Sequence, residues 1–369
     1  MSFHPRARLI GTLGSAVILA ALAVAVGSGA GSSPVAPVAG VGSPAEAAQR
    51  SALLSELGLE TVGPPRITAR PTPTGKQAVR PKAVVAAPTP TAPTGIARQR
   101  PPRACPVFPA DNPWNERVDT LPVAPNSSAM ITAIGLTSKL HPDFSNGGNY
   151  GIPVNLVNAS TPRSTVTFQY ASESDKVGYP IPASPLIEGG SDAHLLMVDT
   201  SACKLYELFA AHKVSGTWRA GSGAVWDLRS DAVRPAGWTS ADAAGLPIFP
   251  GLARYDEVAA GAITHALRFT ASSTCAGYVY PARHEAGSGS CSVKPPMGLR
   301  VRLKASFDIS SYTGQARIVL IALKRYGMLL ADNGSPWYVT GAPSSGWNDD
   351  NLHTLNKVPG SAFEVVDTN

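Results

Sequence analysis

The chain has 369 residues, with 31 Lys and Arg against 25 Asp and Glu, and its net charge is +6. The charge is unevenly spread: residues 1–104 carry 11 basic and 3 acidic side chains, whereas residues 105–369 carry 20 basic and 22 acidic ones, a net charge of −2. A folded part so close to neutral lacks the basic surface of a nucleic-acid-binding domain, so we expect no nucleic-acid partner there.

Residues 1–33 have the pattern of an export signal. Arg6 and Arg8 precede an uncharged apolar stretch at 13–26, and small residues follow. A stretch of this length fits the apolar region of a signal peptide better than a membrane span. We therefore expect a secreted or cell-surface protein. The alternative is an uncleaved anchor, in which residues 9–26 tether the chain to a membrane.

Residues 34–104 form a low-complexity, basic, Pro- and Ala-rich linker. Between 61 and 104 there are ten Pro and eight Lys or Arg and no acid. Such a segment cannot bury enough apolar surface to fold, so we expect an extended stalk. The stalk would cross a cell-wall layer or, alternatively, adhere to anionic wall polymer or phospholipid.

Residues 105–369 are expected to form one globular, monomeric domain. All six Trp lie here, and Gly and Pro interrupt the apolar runs about every ten residues, which is typical of β-rich folds. The pattern favours a mainly β domain of the β-sandwich or jelly-roll type with a few accessory helices. Predicted helices lie at 127–134, 239–242, 255–260 and 313–326. Predicted strands lie at 166–170, 194–199, 204–209, 224–227, 264–270, 277–280, 299–305, 328–331, 337–340 and 363–366.

The four cysteines, Cys105, Cys203, Cys275 and Cys291, all lie in this domain. An even number behind a secretory signal implies disulfides, and four cysteines allow three pairings. We favour Cys275–Cys291, because a short loop separates them, which leaves Cys105–Cys203. No spacing typical of metal ligands is present, and neither are the standard nucleotide-binding or serine-hydrolase motifs. We expect no metal and no other cofactor.

Residues 188–194 (EGGSDAH) form the first candidate catalytic segment. Asp192 and His194 would share one face of a strand, and a carboxylate beside an imidazole can tune a proton donor. Glu188 precedes two glycines that permit close backbone approach. The structural alternative is a surface loop at the start of a strand.

Carboxylates on a predicted hairpin form the second candidate group. Asp199 and Glu207 would lie on paired strands, and two carboxylates about 5–9 Å apart suit glycoside hydrolysis. Asp199 also fits a turn residue. Glu207 would lie on the same strand face as Leu205, which indicates a partly enclosed carboxylate, and it is a candidate catalytic residue.

Acids, arginines and tryptophans interleave at 226–238. Asp227 is a candidate catalytic carboxylate, and Trp226, Arg234 and Trp238 are candidate sugar-binding residues, because aromatic faces stack on sugar rings. The alternative is a solvated loop held by Arg–Asp pairs. Asp332, before Asn-Gly, is predicted to lie in a turn.

Basic residues and histidines in the C-terminal half suggest a different chemistry. Arg268 and His284 are candidate substrate-binding residues, and His265 is expected either in the core or as a base. Arg300, Arg302 and Lys304 alternate with apolar residues, so they would line one strand face, either toward solvent or in a groove. Such a groove would suit a polyuronate lyase.

The stretches 105–109, 237–247 and 326–334 resemble those of secreted bacterial proteins. The resemblance extends over most of residues 105–369 and implies one coherent domain in an exported protein. It implies no activity.

We therefore expect a secreted, carbohydrate-active, glycosidase-like hydrolase that uses paired carboxylates on a polysaccharide. Two alternatives stay open. One is a non-catalytic protein that binds glycan or another cell-wall polymer, and the other is a polysaccharide lyase that uses His and Arg. The hydrolase expectation depends on secretion, β-rich architecture and the clustering of Trp with carboxylates.

Overall fold

The computed structural model describes residues 105–147 and 150–368. The expected signal peptide, anchor and stalk lie outside these residues. The described part is built mainly from short strands with a few short helices, which confirms a single, mainly β domain. None of its helices has the length and apolar character needed to cross a membrane.

The strands and helices are short and are separated by long connections. The helices are α1 (Ser127–Ile134), α2 (Tyr255–Ala259), α3 (Gly314–Arg325) and α4 (Asp349–His353), with 3₁₀ turns at Phe249–Gly251, Thr354–Lys357 and Gly360–Ala362. The strands are β1 (His141–Asp143), β2 (Val154–Val157), β3 (Val166–Phe168), β4 (Leu195–Asp199), β5 (Lys204–Phe209), β6 (His212–Val214), β7 (Thr217–Ala220), β8 (Ser222–Asp227), β9 (Leu267–Ala271), β10 (Arg300–Leu303), β11 (Met328–Asn333), β12 (Tyr338–Thr340) and β13 (Phe363–Val365).

Three mixed sheets organise these strands. The six-stranded sheet has the order β1-β12-β9-β11-β10-β13, the four-stranded sheet β2-β4-β5-β8, and the three-stranded sheet β3-β7-β6. The predicted β4–β5 hairpin is present, with Leu196 opposite Glu207. Four neighbouring pairs are parallel, namely β1 with β12, β2 with β4, β3 with β7, and β9 with β11.

The four-stranded sheet is buried on both faces. Alternate residues of β4 enter different clusters: Leu196 and Val198 belong to the larger core, whereas Leu195 and Met197 belong to a smaller one with strands of the three-stranded sheet. This is the period-two alternation of a strand with two apolar neighbours. Both faces of this sheet are therefore closely packed against apolar neighbours.

A β-bulge interrupts the parallel pair of β9 and β11. Leu330 lies opposite Phe269, but the next paired residue on β11 is Asp332, opposite Thr270, so Ala331 is an extra residue. Side chains alternate between faces, so this one insertion moves Asp332 onto the face that carries Arg268. Without it, Asp332 would share the face of Phe269, which is fully buried.

Both predicted disulfides, Cys105–Cys203 and Cys275–Cys291, are present. Disulfides of this kind persist in oxidising compartments, as expected for the extracellular side of a cell. The second bond closes a loop that spans 16 positions in sequence and contains His284.

Local predictions differ in outcome. Helix α1 has the predicted bounds, and α3 ends before Gly327, whose φ of +64° is that of a terminating glycine. The predicted helix start at 239–242 is wrong: Ser240 Oγ accepts the N–H of Asp242, and the segment forms a turn. The predicted strand at 277–280 is reduced to one isolated bridge at Tyr278.

Candidate functional site

A pocket of about 310 Å³ lies between the segment 239–243, the ends of β5 and β8, the loop after β3 and the loop that carries His284. Its volume is at the lower end of the range for small-molecule sites. It can hold one small ligand or one unit of a polymer. The lining residues are Tyr170, Glu173, Phe209, Ser222, Thr239, Ser240, Ala241, Asp242, Ala243, His284, Ala286 and Asp332.

The two serines of the pocket wall have structural roles. Ser222 Oγ donates to the carbonyl of Ser240, and Ser240 Oγ lies 2.6 Å from the carbonyl oxygen of Leu246. Both residues are about 1% exposed. Because their protons bond to carbonyl groups in the interior, these hydroxyls fix the wall and have no base beside them to activate them.

Asp242 and Arg268 form a buried ion pair behind the wall. Arg268 donates from Nε and Nη2 to the two oxygens of Asp242, at 3.0 and 2.7 Å, and from Nη1 to Thr340 Oγ1 at 2.6 Å. Burial alone would lower the pKa of Arg268, but the carboxylate of Asp242 acts in the opposite direction, and the pKa is raised above its usual value. Arg268 therefore stays charged, and its donors serve the interior, not a ligand.

Asp332 adds a second carboxyl group beside this pair. Its Oδ2 lies 3.9 Å from Arg268 Nη2, and Oδ1 accepts the N–H of Asn333. Burial and the charge of Asp242 raise the pKa of Asp332 to about 7, against the opposing effect of Arg268. The side chain is 27% exposed and lines the pocket. It is therefore a carboxyl group that can carry a proton near neutral pH and reach a ligand.

His194 and Glu188 form a further buried pair. His194 Nδ1 contacts Glu188 Oε2, and Nε2 lies 3.0 Å from the carbonyl oxygen of Ala241. A carbonyl only accepts, so Nε2 carries a proton, and the Glu188 carboxylate favours a second proton on Nδ1. Burial alone would lower the pKa of His194, but Glu188 raises it, and His194 in turn lowers the pKa of Glu188 against its own burial. The ring of His194 thus holds the carbonyl of Ala241 and stands behind the pocket.

His284 and Glu173 form the pair that faces the pocket directly. His284 Nδ1 donates to the carbonyl of Ala243 at 2.8 Å, so in the neutral ring Nε2 bears the lone pair. Nε2 lies 3.9 Å from Glu173 Oε2, which also accepts the N–H of Thr239 at 3.1 Å. That separation is too long for a direct hydrogen bond and fits a bridging water.

The predicted strand placement of Asp192 and His194 is wrong. β4 begins only at Leu195, and Ala193, which lies between Asp192 and His194, has a φ of +39°. The side chains of Asp192 and His194 therefore do not share a strand face. Asp192 is exposed and does not line the pocket. The partner of His194 is Glu188, six positions away.

The hairpin carboxylates lie on opposite faces of the four-stranded sheet. Asp199 is paired with Lys204 and Glu207 with Leu196, and alternation directs them apart. Glu207 is fully buried and accepts the N–H groups of Ile248 and Phe249 at 2.9 and 2.8 Å. Burial raises its pKa to about 7 in spite of these two bonds. The expected Asp199–Glu207 pair is therefore not formed, and Glu207 holds the start of a 3₁₀ turn.

The 226–238 segment is placed beside the pocket, not in its wall. Arg234 lies over the rings of Trp226 and Trp238 and donates to the carbonyls of Thr239 and Glu173 and to Asp175. Trp226 is only 5% exposed. These residues hold the lining segments in place and differ from the open sugar-binding surface that the sequence suggested.

Asp227 is the last residue of β8, is half-buried and does not line the pocket. Its carboxylate accepts the N–H of Arg229 and forms an exposed ion pair with the same side chain. These bonds lower its pKa. The alternative prediction, in which an Arg–Asp pair holds this segment, therefore describes Asp227. The residue does not join the other candidate site residues at the pocket.

The basic strand of the C-terminal half is covered by protein. Arg300 and Arg302 are buried and donate to main-chain carbonyls of residues 113–121. Neither predicted placement, toward solvent or in a groove, is found for these two arginines, whereas Lys304 follows the end of β10, is half-buried and donates to the carbonyl of Ser361. His265 is also buried, between the carbonyl of Ala266 and the carboxylate of Glu257.

No protein-family model, curated protein or solved structure matches this chain. Within residues 105–147 and 150–368 no three His, Cys, Asp or Glu side chains are grouped to hold a metal ion. Of the predicted site residues, only His284 lines the pocket. Glu188, His194 and Arg268 stand behind it, and three lining residues, Tyr170, Glu173 and Asp242, were not among the predicted site residues.

Proposed function

We propose that this chain is a secreted hydrolase that cleaves glycosidic bonds of a polysaccharide at this pocket. Asp332 is the general acid that protonates the leaving oxygen. Glu173 and His284 hold and deprotonate the attacking water. The supporting observation is that a carboxyl group with a raised pKa and a carboxylate–imidazole pair line one cavity.

The proposed roles follow from the different surroundings of the two carboxyl groups. Glycosidases need one protonated and one ionised carboxyl group, and different environments produce this difference. Asp332 is kept protonated up to about pH 7 by burial and by Asp242. Glu173 accepts a main-chain N–H and lies near an imidazole, which are contacts that suit an ionised carboxylate.

Aromatic side chains at the pocket fit a sugar ring as the ligand. Tyr170 and Phe209 line it, and Tyr170 is 46% exposed. Rings of this kind present an apolar face, and the Tyr170 hydroxyl group supplies a polar tip. Lyase chemistry receives less support, because the arginines required for it donate to main-chain carbonyls.

The direct test incubates the full chain with a panel of polysaccharides and measures the reducing ends that are released. We expect activity on at least one polymer, and a loss of at least 100-fold in Asp332→Asn and in Glu173→Gln, since acid–base groups contribute about 10²–10⁴ in rate. Asp192→Asn is the matched control, because Asp192 is exposed and outside the pocket.

Three results would contradict the proposal. One is a wild-type chain without hydrolysis on the whole panel, and another is full activity in both pocket variants. The third is a product that absorbs in the ultraviolet through a new double bond, which would indicate elimination.

A further inference from the structure

The pocket wall has an uneven balance of charge. Among its twelve lining residues are three acids, Glu173, Asp242 and Asp332, and no Lys or Arg. Arg268 balances Asp242 from behind through two hydrogen bonds. Of the remaining carboxyl groups, Asp332 can be protonated near neutral pH, so Glu173 is the acid whose charge a ligand meets, with the imidazole of His284 beside it.

Glu173 has a free acceptor in this wall. Its Oε2 accepts from Thr239 N and faces His284, whereas no residue of the described part of the chain donates to Oε1. The Glu173 side chain is about one-third exposed. The main-chain carbonyls of 239, 240, 241 and 243 already accept from Arg234, Ser222, His194 and His284. The strongest open acceptor in the pocket is thus a carboxylate oxygen.

A cationic donor fits this acceptor better than a neutral one, and an anionic group is repelled by it. Charge-assisted hydrogen bonds are about twice as strong as neutral ones. A carboxylate or sulfate on a sugar would be repelled by Glu173, and no Lys or Arg lines the wall to offset that repulsion.

We infer that the pocket selects a sugar unit with a free ammonium group, as in a polymer of amino sugars, and that Glu173 Oε1 is the group that recognises it. That the sugar unit belongs to a polymer rests on the proposed function, whereas the binding of the ammonium group by Glu173 does not. Oε2 and His284 remain available for the water, so recognition and water activation use different oxygens of one carboxylate.

The experiment measures binding without turnover, by calorimetry or by ligand-detected NMR, on the full chain. Glucosamine, glucose and glucuronate are the probes, because the first two differ only in an ammonium or hydroxyl group at one carbon. We expect glucosamine to bind on the order of tenfold more tightly than glucose, and glucuronate more weakly than both. The glucosamine preference should decrease with added salt.

Variants identify the residue responsible. Glu173→Gln keeps the shape of the side chain and removes its charge, so its affinities for glucosamine and glucose should become equal, whereas Asp192→Asn should keep the preference. Equal wild-type affinities for glucosamine and glucose, or tighter binding of glucuronate, would overturn the inference even if Glu173→Gln does not fold. Amino-sugar binding without any hydrolysis would contradict the proposed function and leave this inference intact.

Discussion

Asp332 Oδ2 lies 3.9 Å from Arg268 Nη2. The bulge at Ala331 places Asp332 on the face of the six-stranded sheet that also carries Arg268. Asp242 holds the same guanidinium more closely, with two hydrogen bonds. Arg268 therefore neutralises Asp242 first and Asp332 only in part. This order explains how one of two neighbouring carboxyl groups can keep a proton.

The pH dependence of hydrolysis should report Asp332. If its protonated form is the acid, kcat/KM should fall as the pH rises through about 7, with a slope of one proton. The measurement is kcat/KM from pH 5 to pH 9 on the best polysaccharide. The residual activity of Asp332→Asn should lack this alkaline decrease. A decrease that persists unchanged in the variant would assign the proton to another group.

Removal of the Arg268 charge should strongly destabilise the fold. Arg268→Met leaves the carboxylate of Asp242 buried without a partner, which costs about 3–5 kcal/mol of unfolding free energy. The double variant Asp242→Asn/Arg268→Met should lose less than the sum of the single variants. Urea unfolding measures both.

The exposed Arg229–Asp227 pair supplies the matched control. Arg229→Met should change the unfolding free energy by about 0.5 kcal/mol or less. Similar losses at the two positions would show that burial does not determine the contribution of these pairs.

Glu207 should make the domain less stable as the pH rises from about 4.3 to 7. Its folded pKa of about 7 exceeds the unfolded value, so the folded state binds the extra proton, and stability is lost as that proton dissociates. The expected contribution between pH 4.5 and pH 7.5 is about 3 kcal/mol. Urea unfolding of the wild type and of Glu207→Gln at pH 4.5 and pH 7.5 measures it, and the decrease should be smaller in the variant. Equal decreases would contradict this role.

The two disulfides should have different effects on activity. Without Cys275–Cys291 the loop that carries His284 is no longer closed, so the double variant Cys275→Ser/Cys291→Ser should lose about 3 kcal/mol of unfolding free energy. It should also lose hydrolytic activity at temperatures well below its melting temperature, where the domain is still folded. Without Cys105–Cys203 the loss should be larger, about 4–5 kcal/mol, because that loop is longer. Its activity at low temperature should be retained. Activity assays at 10 °C and thermal unfolding distinguish the two.

Local patterns and covalent links were predictable from the sequence. The apolar alternation gave the β4–β5 hairpin, the helical spacing gave α3 with Gly327 after it, and the loop length gave the Cys275–Cys291 bond. Each depends on residues that are near one another in the chain.

The pocket depends on contacts that are distant in sequence, so it was predicted only in part. Glu173 and His284 are 111 positions apart and meet through the segment 239–243, of which 239–242 was predicted as the start of a helix. Asp332 was predicted in a turn because Asn333 and Gly334 follow it, and a bulge has no signature in a period-two pattern. The one signal within reach was the group of polar residues Thr239, Ser240 and Asp242 among small apolar residues, which is unusual for the interior.

The Cys105–Cys203 bond also has a mechanical consequence. It joins the first described residue to the turn between β4 and β5, 98 positions later. A pulling force applied at Cys105 is therefore transmitted through a covalent bond to the central hairpin, and it bypasses the hydrogen bonds of residues 106–202. Under tension the chain between these two cysteines cannot lengthen, so any extension of the described part is confined to residues that follow Cys203.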